Sequence, residues 1–178
     1  MASKNKTPYT KALIDSGFWE QKTLNEMSRD EWEAVCDGCA KCCLHKFIED
    51  DEIEEDFQPT DKPADDGNLH FTNIACHLLN EKTCACTAYD KRSELVPDCV
   101  TLTKANLKDV FYMPPSCSYR RLYEGKGLAS WHPLLNKGKK TKMHELGISV
   151  RNKIVSESDV DLYDFEDYIV TWPLDEIE

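Results

Sequence analysis

Apolar positions along this chain come in short groups set between polar stretches, and their spacing predicts short elements rather than long ones. Ser28 followed by Glu31 is a capping box, in which each side chain satisfies a free donor of a first helical turn, so a short helix is expected to deliver the chain into Cys36. Trp32 and Val35 fall on one side of it, and Leu24 and Met27, before the cap, pack with them. Residues 69–80 read as a strand running into Cys76. A second short helix is expected over 103–110, and a third over 118–123 after the stop at Pro114-Pro115-Ser116. Residues 137–142 form a basic turn. Residues 147–155 alternate with β-branched side chains, a strand signal.

These elements predict a small, loop-rich α+β domain over residues 18–156. Residues 1–17, mostly polar, read as a flexible terminus. Residues 49–67 read as a solvated acidic insertion, with seven acids among the first eight residues and prolines at 59 and 63. They lack the alternating Asp/Asn pattern of a calcium loop. Within residues 157–178, the stretch 160–173 mixes acids with eight large apolar side chains, which predicts a tail that docks back on the domain rather than a disordered one.

Charge sharpens this division. The 178 residues carry a net charge of −11, with 22 Lys and Arg against 33 Asp and Glu. Residues 49–66 hold ten acids and one base, and residues 157–178 nine acids and no base. The remainder is therefore a basic body of +7, and it contains all nine cysteines. No apolar run reaches the roughly 18 residues of a membrane span or resembles a signal-peptide core, so a cytoplasmic protein without membrane contact is expected. In a reducing compartment, closely spaced cysteines point to metal ligation or redox chemistry before disulfides.

Cys36, Cys39, Cys42 and Cys43 have the spacing C-x2-C-x2-C-C. A C-x2-C turn aims two sulfurs at one centre with backbone N–H groups facing them, which suits zinc or an iron of a cluster. Three ligands within seven residues depart from the two separated pairs usual for zinc and approach the run of a bacterial four-iron cluster. Cys42 and Cys43 are neighbours, so their side chains are expected to diverge, one of them serving a second metal or none. The fourth ligand must come from further on, and the candidates are Cys76, Cys84, Cys86, Cys99 and Cys117. Lys41, Lys46, Lys82, Lys91, Arg92, Arg120 and Arg121 lie close to cysteines in sequence and offer countercharge for thiolates. His45, His77 and His144 read as ordinary surface or core histidines.

The segment Cys36-Asp-Gly-Cys39-Ala-Lys-Cys42-Cys43 resembles the defining element of the CxxCxxCC cysteine-cluster family of zinc- or iron-chelating domains. Cys76-His-Leu-Leu resembles its second element, and Cys86-Thr-Ala-Tyr89-Asp-Lys-Arg92 with Cys99 its third, although Ser93–Asp98 is a longer spacer than in short members. The resemblance is closer to the YcgN-type subgroup of small bacterial proteins, through Thr72-Asn-Ile-Ala-Cys76, Val96-Pro-Asp-Cys99, Pro114-Pro-Ser-Cys117, Trp131-His-Pro-Leu134 and Gly147-Ile-Ser-Val-Arg151; Cys84 and Cys117 are subgroup positions. Flagellin lysine methylases carry a similar region associated with an iron–sulfur cluster, but this chain lacks the C-x3-C-x2-C spacing of radical enzymes and the length for a methyltransferase domain.

The residues and the resemblance together predict a metal-binding cysteine-cluster protein holding an iron–sulfur cluster or iron through thiolates. The alternatives are a zinc-binding structural or interaction module on the same cysteines, and a thiol redox or metal-delivery protein. No phosphate-binding glycine loop, nucleophile elbow or H-E-x-x-H motif marks an enzyme. The acidic segments oppose nucleic-acid binding, and no protein partner is legible.

Overall fold

The capping box at Ser28 forms. Its hydroxyl accepts from the Glu31 N–H at 3.3 Å and the Glu31 carboxylate accepts from the Ser28 N–H at 2.7 Å, and the helix ends where the chain reaches Cys36. The computed structural model describes residues 8–48, 69–99 and 101–176. Its helices are α1 (Lys11–Ser16), α2 (Phe18–Gln21), α3 (Arg29–Val35), α4 (Arg92–Leu95), α5 (Ser118–Tyr123) and α6 (Thr141–Glu145), joined by several 3-10 turns. Its strands are β1 (Leu44–Ile48), β2 (Leu69–Ala75), β3 (Leu79–Asn80), β4 (Ala85–Cys86), β5 (Val155–Ser156) and β6 (Ile169–Val170). The fold is thus α+β and rich in loops.

β2 is the centre of the main sheet. β1 pairs with it antiparallel, β5 parallel through Ile74↔Val155 and Ala75↔Ser156, and β6 antiparallel through Phe71↔Val170. Its burial pattern follows from this position, since Phe71, Thr72, Ile74 and Ala75 are all buried. β3 and β4 make a separate two-stranded hairpin.

Two apolar clusters flank the cysteine loop between α3 and β1. A helical one gathers Phe18, Leu24, Met27, Val35, Met113 and Tyr119, so the side of α3 expected to pack with Leu24 and Met27 does so. A sheet cluster gathers Leu44, Leu69, Phe71, Leu79 and Val150. Near the C-terminus, Lys41 is almost wholly buried and its Nζ donates to Ser116 Oγ at 2.8 Å and to the Pro173 carbonyl at 3.1 Å.

Two element expectations need correction. The helix expected over 103–110 is instead a 3-10 segment at Leu107–Tyr112. The strand expected over 147–155 is reduced to Val155–Ser156; Gly147 and Asn152 adopt positive φ, 69° and 61°, which breaks any ladder. Val150 is buried in the sheet cluster and Ile148 in a third cluster with Cys39, Ala129, Trp131 and Met143, so their period reflects burial without strand pairing. The acidic insertion at 49–67 and residues 1–7 of the proposed flexible terminus lie outside the described residues.

His132 is a structural histidine. It is fully buried, its Nδ1 accepts from the Leu134 N–H at 3.1 Å, and its Nε2 lies 3.0 Å from the Val35 carbonyl. These partners require an Nε2–H, Nδ1-bare neutral ring, and burial lowers the pKa further. It ties the end of α3, immediately before Cys36, to the turn Pro133–Asn136. His132→Ala is expected to cost about 2–4 kcal/mol through the cavity and the orphaned backbone groups, read as a lowered midpoint in urea.

Candidate metal centre

The loop from Cys36 to Cys43 turns on two left-handed residues, Gly38 at φ 72° and Ala40 at φ 67°. Asp37, buried beneath it, accepts the Cys39 N–H at 2.8 Å and a hydrogen bond from Ser118 Oγ at 3.2 Å. This Asx-type turn reverses the chain and brings the first two sulfurs to one side. Ala40 pays for its conformation, about 1–2 kcal/mol for a residue with a Cβ, with a closed turn in which the Cys43 N–H reaches the Ala40 carbonyl at 2.9 Å.

The loop opens on a cavity of about 630 Å³ between the helical and sheet clusters. Cys36, Cys39, Cys42, Cys43, Cys76, Cys86, Cys99 and Cys117 all line it. Cys36 and Cys42 count as exposed because they face this space. All nine cysteines are free thiols. Cys84 stands apart: it is buried in the sheet cluster at a turn with φ 52°, its Sγ 3.9 Å from the Glu81 carbonyl.

Mutual electrostatics relate the sulfurs in two overlapping groups, with Cys42 acting on members of both. Burial pushes the Cys36 thiol pKa up, with added repulsion from Asp37, Cys42 and Cys117. Burial, then Asp37, does the same at Cys39, where Cys42 also repels, and burial pushes Cys117 up to about 12, with Asp37 and Cys42 adding to it. On the other side, burial raises Cys76, with repulsion from Glu157, Cys86 and Cys99. Burial raises Cys99 as well, and Cys42 and Cys86 act on it in the same direction. Cys43 belongs to that side through its carbonyl, which accepts the Cys76 N–H at 3.0 Å. Cys42 and Cys43 both line this cavity, and the interaction with Cys43, then burial, raises the Cys42 pKa. The 3-10 turn Lys41–Cys43 keeps both facing one cavity.

The donor set fits a thiolate-bound metal. Nearby backbone N–H groups favour the thiolate at four positions, Gly38 at Cys36, Lys41 at Cys39, Leu78 at Cys76, and Arg120 with Tyr119 at Cys117. Of the seven cations near cysteines in sequence, Lys46 and Arg92 line the cavity. Burial lowers the Lys46 pKa while Cys42, Cys43 and Cys99 oppose that, and Arg92, stacked 3.9 Å over the Tyr89 ring, favours the Cys99 thiolate. Lys41 is buried against the C-terminal turn, and Arg121 Nε donates to the Gly127 carbonyl. Arg120 bonds Glu124 and the Met113 carbonyl, and Lys82 and Lys91 are exposed.

Sequence reasoning missed one cluster. His45 and His77 both contact the carboxylate of Glu157, and Cys76 Sγ, His77 Nδ1 and a Glu157 oxygen lie within 4.8 Å of one another. The adjacency of His77 to Cys76 was a usable signal; the approach of Glu157, 80 residues on, was not. His144 is elsewhere, hydrogen-bonded to Ser149 Oγ at 2.7 Å.

Fold and cavity define a small cysteine-cluster protein. Residues 35–118 match the CxxCxxCC family, described as "putative zinc- or iron-chelating domain". Over 161 residues the chain is 49% identical to a UPF0260 protein of Shewanella denitrificans, covering 90% of this chain and 99% of the relative. It is 48% identical to UPF0260 protein YcgN of Escherichia coli over 90% of this chain and 94% of that one, and 44% identical to a Rhizobium etli UPF0260 protein over 91% and 93%. The chain belongs to this UPF0260 family of cysteine-cluster proteins. No solved structure matches it. Among the described residues, no helix is long and apolar enough to cross a membrane.

Proposed function

We propose that this chain is an iron–sulfur protein whose thiols act as two sets of four, Cys36, Cys39, Cys42 and Cys117 in one and Cys43, Cys76, Cys86 and Cys99 in the other. One observation carries the reading. Eight thiols share a cavity of about 630 Å³, yet among the described residues no three of their sulfurs lie within 4.8 Å of one another. Four sulfurs on one zinc ion sit about 3.8 Å apart at a bond length of about 2.3 Å. Ligands on different irons of a cluster stand farther apart, because each binds its own corner. The cavity's apolar and aromatic lining, with Trp32, Tyr89, Tyr112 and Tyr119, keeps water from a cluster's sulfides, and Lys46 and Arg92 offset its negative charge. Cys84, outside the cavity, takes no part. Nine free thiols fit a reducing compartment, the cytoplasm.

Visible spectroscopy of protein purified without oxygen tests this. A brown chain whose sulfur-to-iron bands bleach on reduction is expected; a colourless chain with stoichiometric zinc contradicts it.

A further inference from the structure

A second donor cluster stands at the edge of the thiol cavity, at the end of β2. The parallel register Ala75↔Ser156 sets the residues that follow, Cys76 and Glu157, beside each other. Glu157 is held firmly there. Its Oε1 accepts the His77 N–H at 2.8 Å and contacts His77 Nδ1, while Oε2 contacts His45 Nε2. Burial works to raise the Glu157 pKa, but these bonds outweigh it and hold the carboxyl below its usual value. The result is one sulfur, one imidazole nitrogen and one carboxylate oxygen within 4.8 Å of one another, with His45 fixing the far carboxylate oxygen. The His77 side chain is 47% exposed and that of Glu157 20%, so the group is open to solvent.

We propose that Cys76 Sγ, His77 Nδ1 and the Glu157 carboxylate form a separate, exchangeable site for a borderline divalent ion of the Zn²⁺ or Fe²⁺ class, with His45 as a positioning residue. Mixed sulfur, nitrogen and oxygen donors suit these ions. Mg²⁺ and Ca²⁺ take oxygen ligands and have no partner here for two of the three donors. Cys76 also belongs to the second thiol set, and to that extent the proposal rests on the function proposed above: its thiolate bridges the outer ion to the inner centre.

The test uses the full chain as isolated without oxygen, titrated with Zn²⁺ and then dialysed and analysed for metal. One zinc per chain is expected beyond the metal it already holds, with affinity falling at least about tenfold in His77→Gln and in Glu157→Gln, and Mg²⁺ failing to compete. His77 is on the surface, so His77→Gln keeps the measurement valid if Glu157→Gln fails to fold. Unchanged zinc uptake in a folded His77→Gln chain overturns the proposal while leaving the thiol centre standing, as does a variant that loses only thermal stability. Equal binding of Mg²⁺ overturns it too, because it reduces the site to a carboxylate. A chain that holds no metal on its thiols but takes zinc at Glu157 refutes the proposed function and upholds this site apart from its bridge.

Discussion

Cys39→Ser is expected to empty the first thiol set and to unfold the chain near physiological temperature, whereas Cys84→Ser keeps its metal. Cys39 is buried and lines the cavity, and the Lys41 N–H favours its thiolate. Serine there offers a weak ligand for a soft metal site. Metal binding contributes on the order of 10–16 kcal/mol to small thiolate domains, comparable with the whole stability of a domain, about 5–15 kcal/mol. Losing it leaves short helices and strands that stay folded only well below physiological temperature. Cys84 lies in an apolar cluster away from the cavity, so its serine variant costs only about 1–3 kcal/mol for a buried hydroxyl. Metal per chain and thermal melting of the two variants, measured side by side, check the difference. Equal metal loss in both would remove the distinction drawn between them.

Acidification or chelation of the holoprotein is expected to act just as strongly. Without metal, burial holds Cys36 and Cys39 above the ordinary thiol range and Cys117 at about 12, and the contact with Cys43, then burial, does the same at Cys42. These groups are protonated at neutral pH, so each must release a proton to bind. The apparent metal affinity then rises about tenfold per thiolate for each pH unit, and moving a four-thiol set from pH 7 to 6 weakens it by up to about 10⁴. The metal-free chain has the opposite dependence. Its unfolded thiols ionise near about 8.5 while the folded ones stay neutral, so their contribution to stability is complete below that value and is lost as pH rises through the folded values. Competition against a chromophoric chelator at several pH values measures the first effect, and a flat profile would contradict it.

What the sequence revealed was local. The capping box at Ser28 lies within four residues, so α3 and its delivery of Cys36 were legible, as was α5 behind Pro114-Pro115. β2 was legible from its apolar run. The segment 147–155 misled, because Ile148 and Val150 are buried by separate clusters and the Val150 N–H bonds the Cys39 carbonyl at 3.0 Å instead of a neighbouring strand. Cys84-Ala-Cys86 shows the same limit at the site. Both cysteines are candidate ligands in the chain, but the turn at Cys84 sends its sulfur into the sheet cluster while Cys86, opposite Leu79 in the hairpin, faces the cavity. The meeting of His77 with Glu157 depends on strand register, which no single-sequence pattern encodes.

Iron, zinc and acid-labile sulfide per chain, determined together on full-length protein purified without oxygen, test the central claim most directly. The account predicts several irons per chain with a comparable amount of sulfide and little zinc. Stoichiometric zinc without sulfide, or a folded chain essentially free of metal, would contradict it.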